Sequence, residues 1–272
     1  MYTPTSKSSR IVVEFKGKNI LVTGATGFLA KALIEKMLRT TPKVNKIYIL
    51  IKSKDEEAAL HRLTSEIVES KLFKYLEEMH GESYKLFIQN KLVPVVGNIY
   101  EPNLGMDSIT TQKIAQEIDL IVNSAAITTF DERYDLALDA NVNGPRRLMI
   151  FAKKCNKLKL LMHYSTETHK IPMNTMGCGG TASSLTKCLG FELWVPVDKV
   201  VNATMAAIAK HGYLQNPELN VYHVDNGNVQ KLMEDMSEEE KKSFEIDVTK
   251  INWRNYFVKT HIPGVQKYAI PI

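Results

Sequence analysis

The chain has 272 residues, 44% of them hydrophobic, and a formal net charge of +5; this suffices for one sizeable core and excludes a disordered or strongly polyionic protein. No run approaches the roughly 20 apolar residues of a membrane-spanning helix, the opening MYTPTSKSSR lacks the apolar stretch of a signal peptide, and no interleaving of aromatic and basic residues points to nucleic acid. Cys155, Cys178 and Cys188 have neither paired nor metal-like spacing, so reduced thiols in an intracellular compartment, with no metal site, are the simplest expectation.

The first predicted strand is Asn19, Ile20, Leu21, Val22. TGATGFLA follows at 23–30, and then Ala30, Leu33, Ile34 and Met37 recur at helical spacing. Strand, tight turn and helix in this order suit a dinucleotide. Gly24 can turn sharply, Gly27 lets the backbone approach a pyrophosphate, and Ala30 lets helix close on strand. Thr23, Thr26, Phe28 and Leu29 complete the loop. The anion would sit on the helix N-terminus, where free amides and the macrodipole favour it. A glycine pair after a strand is also often only a turn, so the surrounding context carries more weight than the spacing. Residues 1–60 hold eleven Lys and Arg against five Asp and Glu. That balance suits a phosphorylated cofactor or a CoA ester, and equally a solvated basic face.

A second buried strand, 46–51 (KIYILI), ends at Lys52. The residue after this strand meets the adenosine ribose in dinucleotide folds, where a base tolerates a 2′-phosphate. Lys52 and Lys54 therefore favour NADPH over NADH; a solvated lysine pair is the alternative. Residues 55–79 read as a long amphipathic helix interrupted near Lys71, and 92–96 (LVPVV) as a third strand followed by Gly97 and Asn98, a loop asparagine that can simply turn the chain. A helix at 108–117 leads to a fourth strand at 120–123. Beyond it Ser124, Ala125 and Ala126 are small enough for close approach of a cofactor. Asn141 lies in a helix running to about Cys155, and a polar residue facing solvent is one reading of it.

The fifth strand, 158–164, delivers Ser165 and Thr166 at its C-terminal end, where ligands meet open parallel sheets. A hydroxyl there can hydrogen-bond a substrate carbonyl as charge develops on it. Tyr164 would point elsewhere from a strand end. His163, Glu167 and His169 match no compact metal site and read as surface or core residues. After Pro196, Val197, Val200, Val201, Met205 and Ile208 form a core-packing helix with Asn202 and Lys210 outward. The stretch from Glu234 to Lys242 reads as a solvated helix.

KNILVTGATGFLAK, KLFKYLEEMHG, VNSAAITTFDERYDLALDANVNG, FAKKC, VPVDKVVNATMAAIAKHG, VYHV and the tail INWRNYFVKTHIPGVQKYAI together resemble plant alcohol-forming fatty acyl-CoA reductases. These belong to the extended short-chain dehydrogenase/reductase superfamily, in which the Gly-x-x-Gly-x-x-Ala form of the glycine loop is found. The resemblance implies an α/β, Rossmann-like doubly wound parallel sheet at 10–194 with a small, mainly helical C-terminal segment at 195–272. It implies NADPH as cofactor, long-chain fatty acyl-CoA as substrate and a primary fatty alcohol as product, as in wax and lipid biosynthesis. Asn98 would stand where the superfamily often has an acid touching adenine. Asn141 would support the catalytic lysine through a water. Enzymes of this kind often work at the endoplasmic reticulum or in plastids; the short N-terminus argues against a plastid transit peptide, which leaves the location open between cytosolic and peripheral at the endoplasmic reticulum, where the apolar C-terminal tail would make the contact.

The departures from that family are chemical. Its active site pairs a serine or threonine with a tyrosine that protonates the carbonyl oxygen and a lysine four residues later. SSLTKCLGFEL aligns with that segment, which puts Lys187 in the lysine position and Ser183 where tyrosine is expected. Gly190 then runs almost directly into 195–201, so the chain reads as internally shortened. Two readings follow. One is a reductase in which Ser165, Thr166 and Lys187 act; the other is an inactive or strongly impaired relative that at most binds NADPH.

Overall fold

The computed structural model describes residues 10–128, 132–164, 196–212 and 227–261, together with Pro263. Over these residues the elements run α1 (Arg10–Phe15), β1 (Asn19–Thr23), α2 (Phe28–Thr40), β2 (Lys46–Ile51), α3 (Glu56–Arg62), α4 (Lys74–His80), α5 (Tyr84–Lys91), β3 (Leu92–Val96) and α6 (Ser108–Glu117). They continue with β4 (Leu120–Asn123), α7 (Tyr134–Leu138), α8 (Gly144–Ala152), β5 (Leu160–His163), α9 (Val197–His211), α10 (Gly227–Glu234), α11 (Glu238–Ser243) and α12 (Trp253–Tyr256).

The five strands are all parallel and lie in the order β3-β2-β1-β4-β5. The order reverses between β1 and β4, with Val22 opposite Val122 and Thr23 opposite Asn123. A crevice at the C-terminal ends of these strands is where a doubly wound sheet receives its ligand. The expected α/β fold class is the one observed.

Side chains alternate across the sheet with period two. Ile20 and Val22 of β1, Ile47, Ile49 and Ile51 of β2 and Leu120 and Val122 of β4 enter one apolar cluster, with α1, α2 and α9. Leu21, Tyr48, Leu50 and Ile121 enter the other, with α6 and α8. Both faces are covered, which is why these strands read as continuous apolar runs.

The stretch at 55–79 is less regular than expected. Asp55 caps α3, its carboxylate accepting from the Ala58 N–H at 2.7 Å, but the helix widens into a π turn at Leu63–Val68 and breaks before a 3₁₀ turn at Lys71–Phe73. Glu66 in that widened turn binds Arg62 with both carboxylate oxygens, at 2.6 and 3.0 Å.

Two outward assignments are corrected. Asn202 of α9 is buried, its Nδ2 donating to the Glu245 carbonyl at 3.0 Å while Oδ1 has no partner among the described residues. Val200, Val201, Met205 and Ile208 of the same helix are buried as well. Each contributes about 1.5–3 kcal/mol of apolar burial, which outweighs the ~1–3 kcal/mol of one unsatisfied polar atom. Glu240, expected on a solvated helix, is also buried. It closes a capping box with Ser237 and accepts from the Ile11 N–H at 2.9 Å, fastening α11 to α1 across 229 residues of sequence.

Candidate cofactor site at the strand ends

At the β1–α2 turn Gly24 has φ +68°, the left-handed region that L side chains rarely adopt. A Cβ on it would lie 2.5 Å from the Ala125 nitrogen and 2.6 Å from the Ser124 carbonyl. The loop is therefore seated directly on the segment that follows β4. Gly27, with φ −74° and ψ 156°, is the residue before α2, and no side chain caps that helix. Asp107 caps α6 and Ser237 caps α11; α2 instead leaves the N–H groups of Phe28, Leu29 and Ala30 without intrahelical acceptors, and its first turn holds no acid. The first backbone bond of the helix is from the Lys31 N–H to Gly27 at 3.1 Å. A turn that only glycine fits, opening onto free amides, is a cradle for a pyrophosphate. Ala30 is fully buried against the core and Phe28 is 61% exposed. Thr26 and Leu29 are half-buried.

Thr23 is the buried root of this loop. Its hydroxyl donates to Asn123 Oδ1 at 2.5 Å, and Asn123 Oδ1 also accepts from the Ala125 N–H at 3.3 Å. Asn123 Nδ2 lies 2.9 Å from His163 Nδ1 at the end of β5. Burial pushes the His163 pKa below the usual imidazole value. Neither Asn123 nor the role of His163 was singled out in the sequence; the only signal was a polar residue closing an otherwise apolar strand.

Past β2, Lys52, Ser53, Lys54, Gly97, Asn98 and Glu101 line a cleft of about 360 Å³. Lys52 is exposed, with Nζ 5.5 Å from the centre of the Tyr100 ring. Arg62, also missed in the sequence, reaches back from α3 and donates to the Lys52 carbonyl at 2.7 Å. Asn98 is engaged within its own loop: Nδ2 donates to Glu101 at 2.7 Å and Oδ1 accepts from the Tyr100 N–H at 3.2 Å. That loop is closed by a left-handed turn, Asn103 (φ 52°), Leu104 (φ 60°) and Gly105 (φ 64°), which presents the Leu104 carbonyl to the Asn98 N–H at 2.6 Å. A second cleft, of about 440 Å³, includes Asn103, Thr111, Gln112 and Lys154, none of them in the strand-end set.

Asn141 lies in a π turn, Asp139–Asn143, between α7 and α8. Its amide bonds both ways to the Ile127 backbone, accepting at 2.8 Å and donating at 2.9 Å, so it anchors the chain that leaves β4. Ser165, Thr166, Ser183 and Lys187 lie outside the described residues, as do Glu167 and His169. Tyr164 is described and points into the core as expected: its hydroxyl lies 2.8 Å from Thr204 Oγ1, which itself donates to the Val200 carbonyl at 2.8 Å. The phenol must therefore be the donor to Thr204, and burial pushes its pKa well up. Among the described residues no helix is long and apolar enough to cross a membrane.

Two family models match the sequence in order, both described as male sterility protein: an NAD-binding model over residues 22–176 and a second, called Sterile, over 205–271. The chain is 55% identical over 156 residues to "Fatty acyl-CoA reductase 2, chloroplastic" of Arabidopsis thaliana, covering 57% of this chain and 25% of that one. It is 43% identical over 157 residues to "Alcohol-forming fatty acyl-CoA reductase" of Simmondsia chinensis, covering 57% and 32%. It thus spans about a quarter to a third of the length of these relatives. Among solved structures, the terminal R domain from the myxalamid PKS-NRPS biosynthetic pathway is 30% identical, covering 56% of this chain and 35% of that one, with a TM-score of 0.46. Since the NAD-binding model alone spans more than half of its residues, this chain belongs to the male sterility protein family.

Proposed function

We propose that this chain binds NADPH across the C-terminal ends of β1, β2 and β4 and serves the reduction of a long-chain fatty acyl-CoA to a primary fatty alcohol. The observation that carries the cofactor part is the uncapped, acid-free N-terminus of α2 behind a glycine that no other residue can replace. Its three free amides would hold the pyrophosphate. Lys52, just past the end of β2, would supply the positive charge that a 2′-phosphate requires, while Arg62 of α3, itself paired with Glu66, braces the Lys52 carbonyl. The acyl-CoA part rests on the relatives, whose names state that substrate and, for one, an alcohol product. Contact of the C-terminal tail with a membrane surface belongs to the same proposal.

NADPH would supply one hydride each time it binds, and two are needed: the first takes the thioester to the aldehyde with release of the CoA thiol, the second takes the aldehyde to the alcohol. The chain's own part would be to orient the thioester carbonyl through a hydroxyl of Ser165 or Thr166 and to hold the cofactor side with Lys187. A proton must also reach the carbonyl oxygen. Tyr164 cannot deliver it, because its phenol is spent on Thr204 inside the core.

That observation favours a second reading, a chain that binds NADPH and turns over slowly or not at all. With Ser183 in the tyrosine position, loss of general acid catalysis costs about 10²–10⁴-fold in rate. Incubation of the purified protein with NADPH and palmitoyl-CoA, followed by chromatography for aldehyde and alcohol, separates the two. Alcohol in stoichiometric excess over enzyme supports the reductase; NADPH binding with no product supports the second.

A further inference from the structure

The geometry points to His163 as a positioning residue for the dinucleotide loop, acting through Asn123 on Thr23 and Ala125. This rests on the cofactor reading above. It adds a residue on β5 that touches none of the cofactor cradle and yet sets its shape.

The hydrogen-bond roles in this network follow from one unambiguous donor. The Ala125 N–H can only donate, so the Asn123 atom that receives it, at 3.3 Å, is the amide oxygen. The same oxygen receives the Thr23 hydroxyl. Both lone-pair directions of Oδ1 are then used. Turning the amide over would set N–H against the Ala125 N–H. Asn123 Nδ2 must therefore donate to His163 Nδ1 at 2.9 Å, and Nδ1 must be the bare nitrogen of a neutral ring whose proton sits on Nε2. Asn123 is fully buried and Thr23 is 1% exposed, while His163 is half-buried, so the amide meets its partners inside the fold.

The consequence reaches the cradle through backbone. Thr23 immediately precedes Gly24, and Ala125 is the residue whose nitrogen Gly24 nearly touches. One amide thus clamps both sides of the closest approach in the site, and His163 fixes that amide's orientation.

Asparagine can imitate the Nδ1 side of histidine, because its Oδ1 occupies nearly the same place; glutamine imitates the Nε2 side instead. NADPH titration calorimetry on wild type, His163→Asn, His163→Gln and His163→Leu, with a urea unfolding curve for each, gives the test. The Asn variant is expected to bind within about threefold of wild type, and the Gln and Leu variants about tenfold or more weaker, as for one buried hydrogen bond. Equal affinity in all four, or equal loss in Asn and Leu, overturns the inference. A second readout needs no cofactor: nitrogen-15 spectra of the imidazole at neutral pH should show His163 as the Nε2–H tautomer. A proton on Nδ1 overturns the inference even if NADPH binds. Absence of NADPH binding by wild type, with the Nε2–H tautomer present, contradicts the cofactor reading and leaves the network intact.

Discussion

Gly24 and Ala125 meet backbone to backbone, with no room for a methyl group between them. Gly24→Ala combines that clash with a left-handed φ, so a destabilisation of about 2–4 kcal/mol is expected. Gly27 has an ordinary φ of −74°, and a Cβ there would meet only the Gly24 carbonyl at 3.2 Å. Gly27→Ala should cost under about 1 kcal/mol in stability while still weakening NADPH, since it crowds the cradle's open side. Urea midpoints measured beside NADPH titrations check both; equal stability losses at the two glycines would contradict the geometry.

Stability should fall with acid through His163. Its folded pKa lies below the unfolded value of 6.5 because the ring is buried. Between the two values the unfolded chain holds the extra proton, so stability rises with pH. The contribution is complete above about pH 6.5 and is lost as pH falls toward the lowered value. His163→Asn removes the titration, and its urea stability should be flatter than wild type over that window. An unchanged slope would show that other groups carry it.

Cofactor choice should be readable at Lys52. Charge-assisted bonds to a phosphate are worth about 1.5–3 kcal/mol, so Lys52→Ala is expected to weaken NADPH about tenfold or more. Arg62→Ala removes the bond to the Lys52 carbonyl and the pair with Glu66, so it acts only through the placing of Lys52 and its effect should be smaller. NADH affinity should barely move. Competition titrations with both nucleotides measure this, and parallel losses for the two would remove the 2′-phosphate assignment.

Tyr164→Phe tests whether the strand-end phenol has a chemical role. It removes one hydroxyl donating to Thr204, at an expected cost of about 0.5–1.5 kcal/mol, and any NADPH-dependent turnover should persist at the wild-type rate per folded molecule. A large loss of rate with NADPH affinity intact would make the phenol a proton donor after all.

Glu240→Ala should loosen the seam between the two ends of the chain. The Ile11 N–H loses its acceptor and the α11 capping box opens, for an expected loss of about 2–3 kcal/mol. Hydrogen exchange at Ile11 should rise with it; protection unchanged at that amide would mean another group holds α1.

Much of the sheet was legible because its signals are local. The runs at 46–51, 92–96 and 120–123 are strands with the expected limits, and the helix at 108–117 ends where its periodicity does. The glycine loop was equally legible, since turn, free amides and small residues follow one another in eight positions. What escaped was built by distant residues. Thr23 and Asn123 are 100 positions apart, His163 a further 40, and Glu240 meets Ile11 over 229. Asn202 looked outward because a polar residue on an amphipathic helix usually is; the partner that buries it, the Glu245 carbonyl, lies beyond α11. Arg62 was hidden in a helix face, and only its bond to the Lys52 carbonyl, ten residues back, shows its reach.

Titration of NADPH into the wild-type protein by calorimetry tests the central claim most directly, with NADH in a matched cell. Saturable binding at one site per chain, tighter for NADPH and abolished in Gly24→Ala protein that remains folded, is the result predicted. No saturable heat with either nucleotide, from a protein whose urea transition is cooperative, would contradict it.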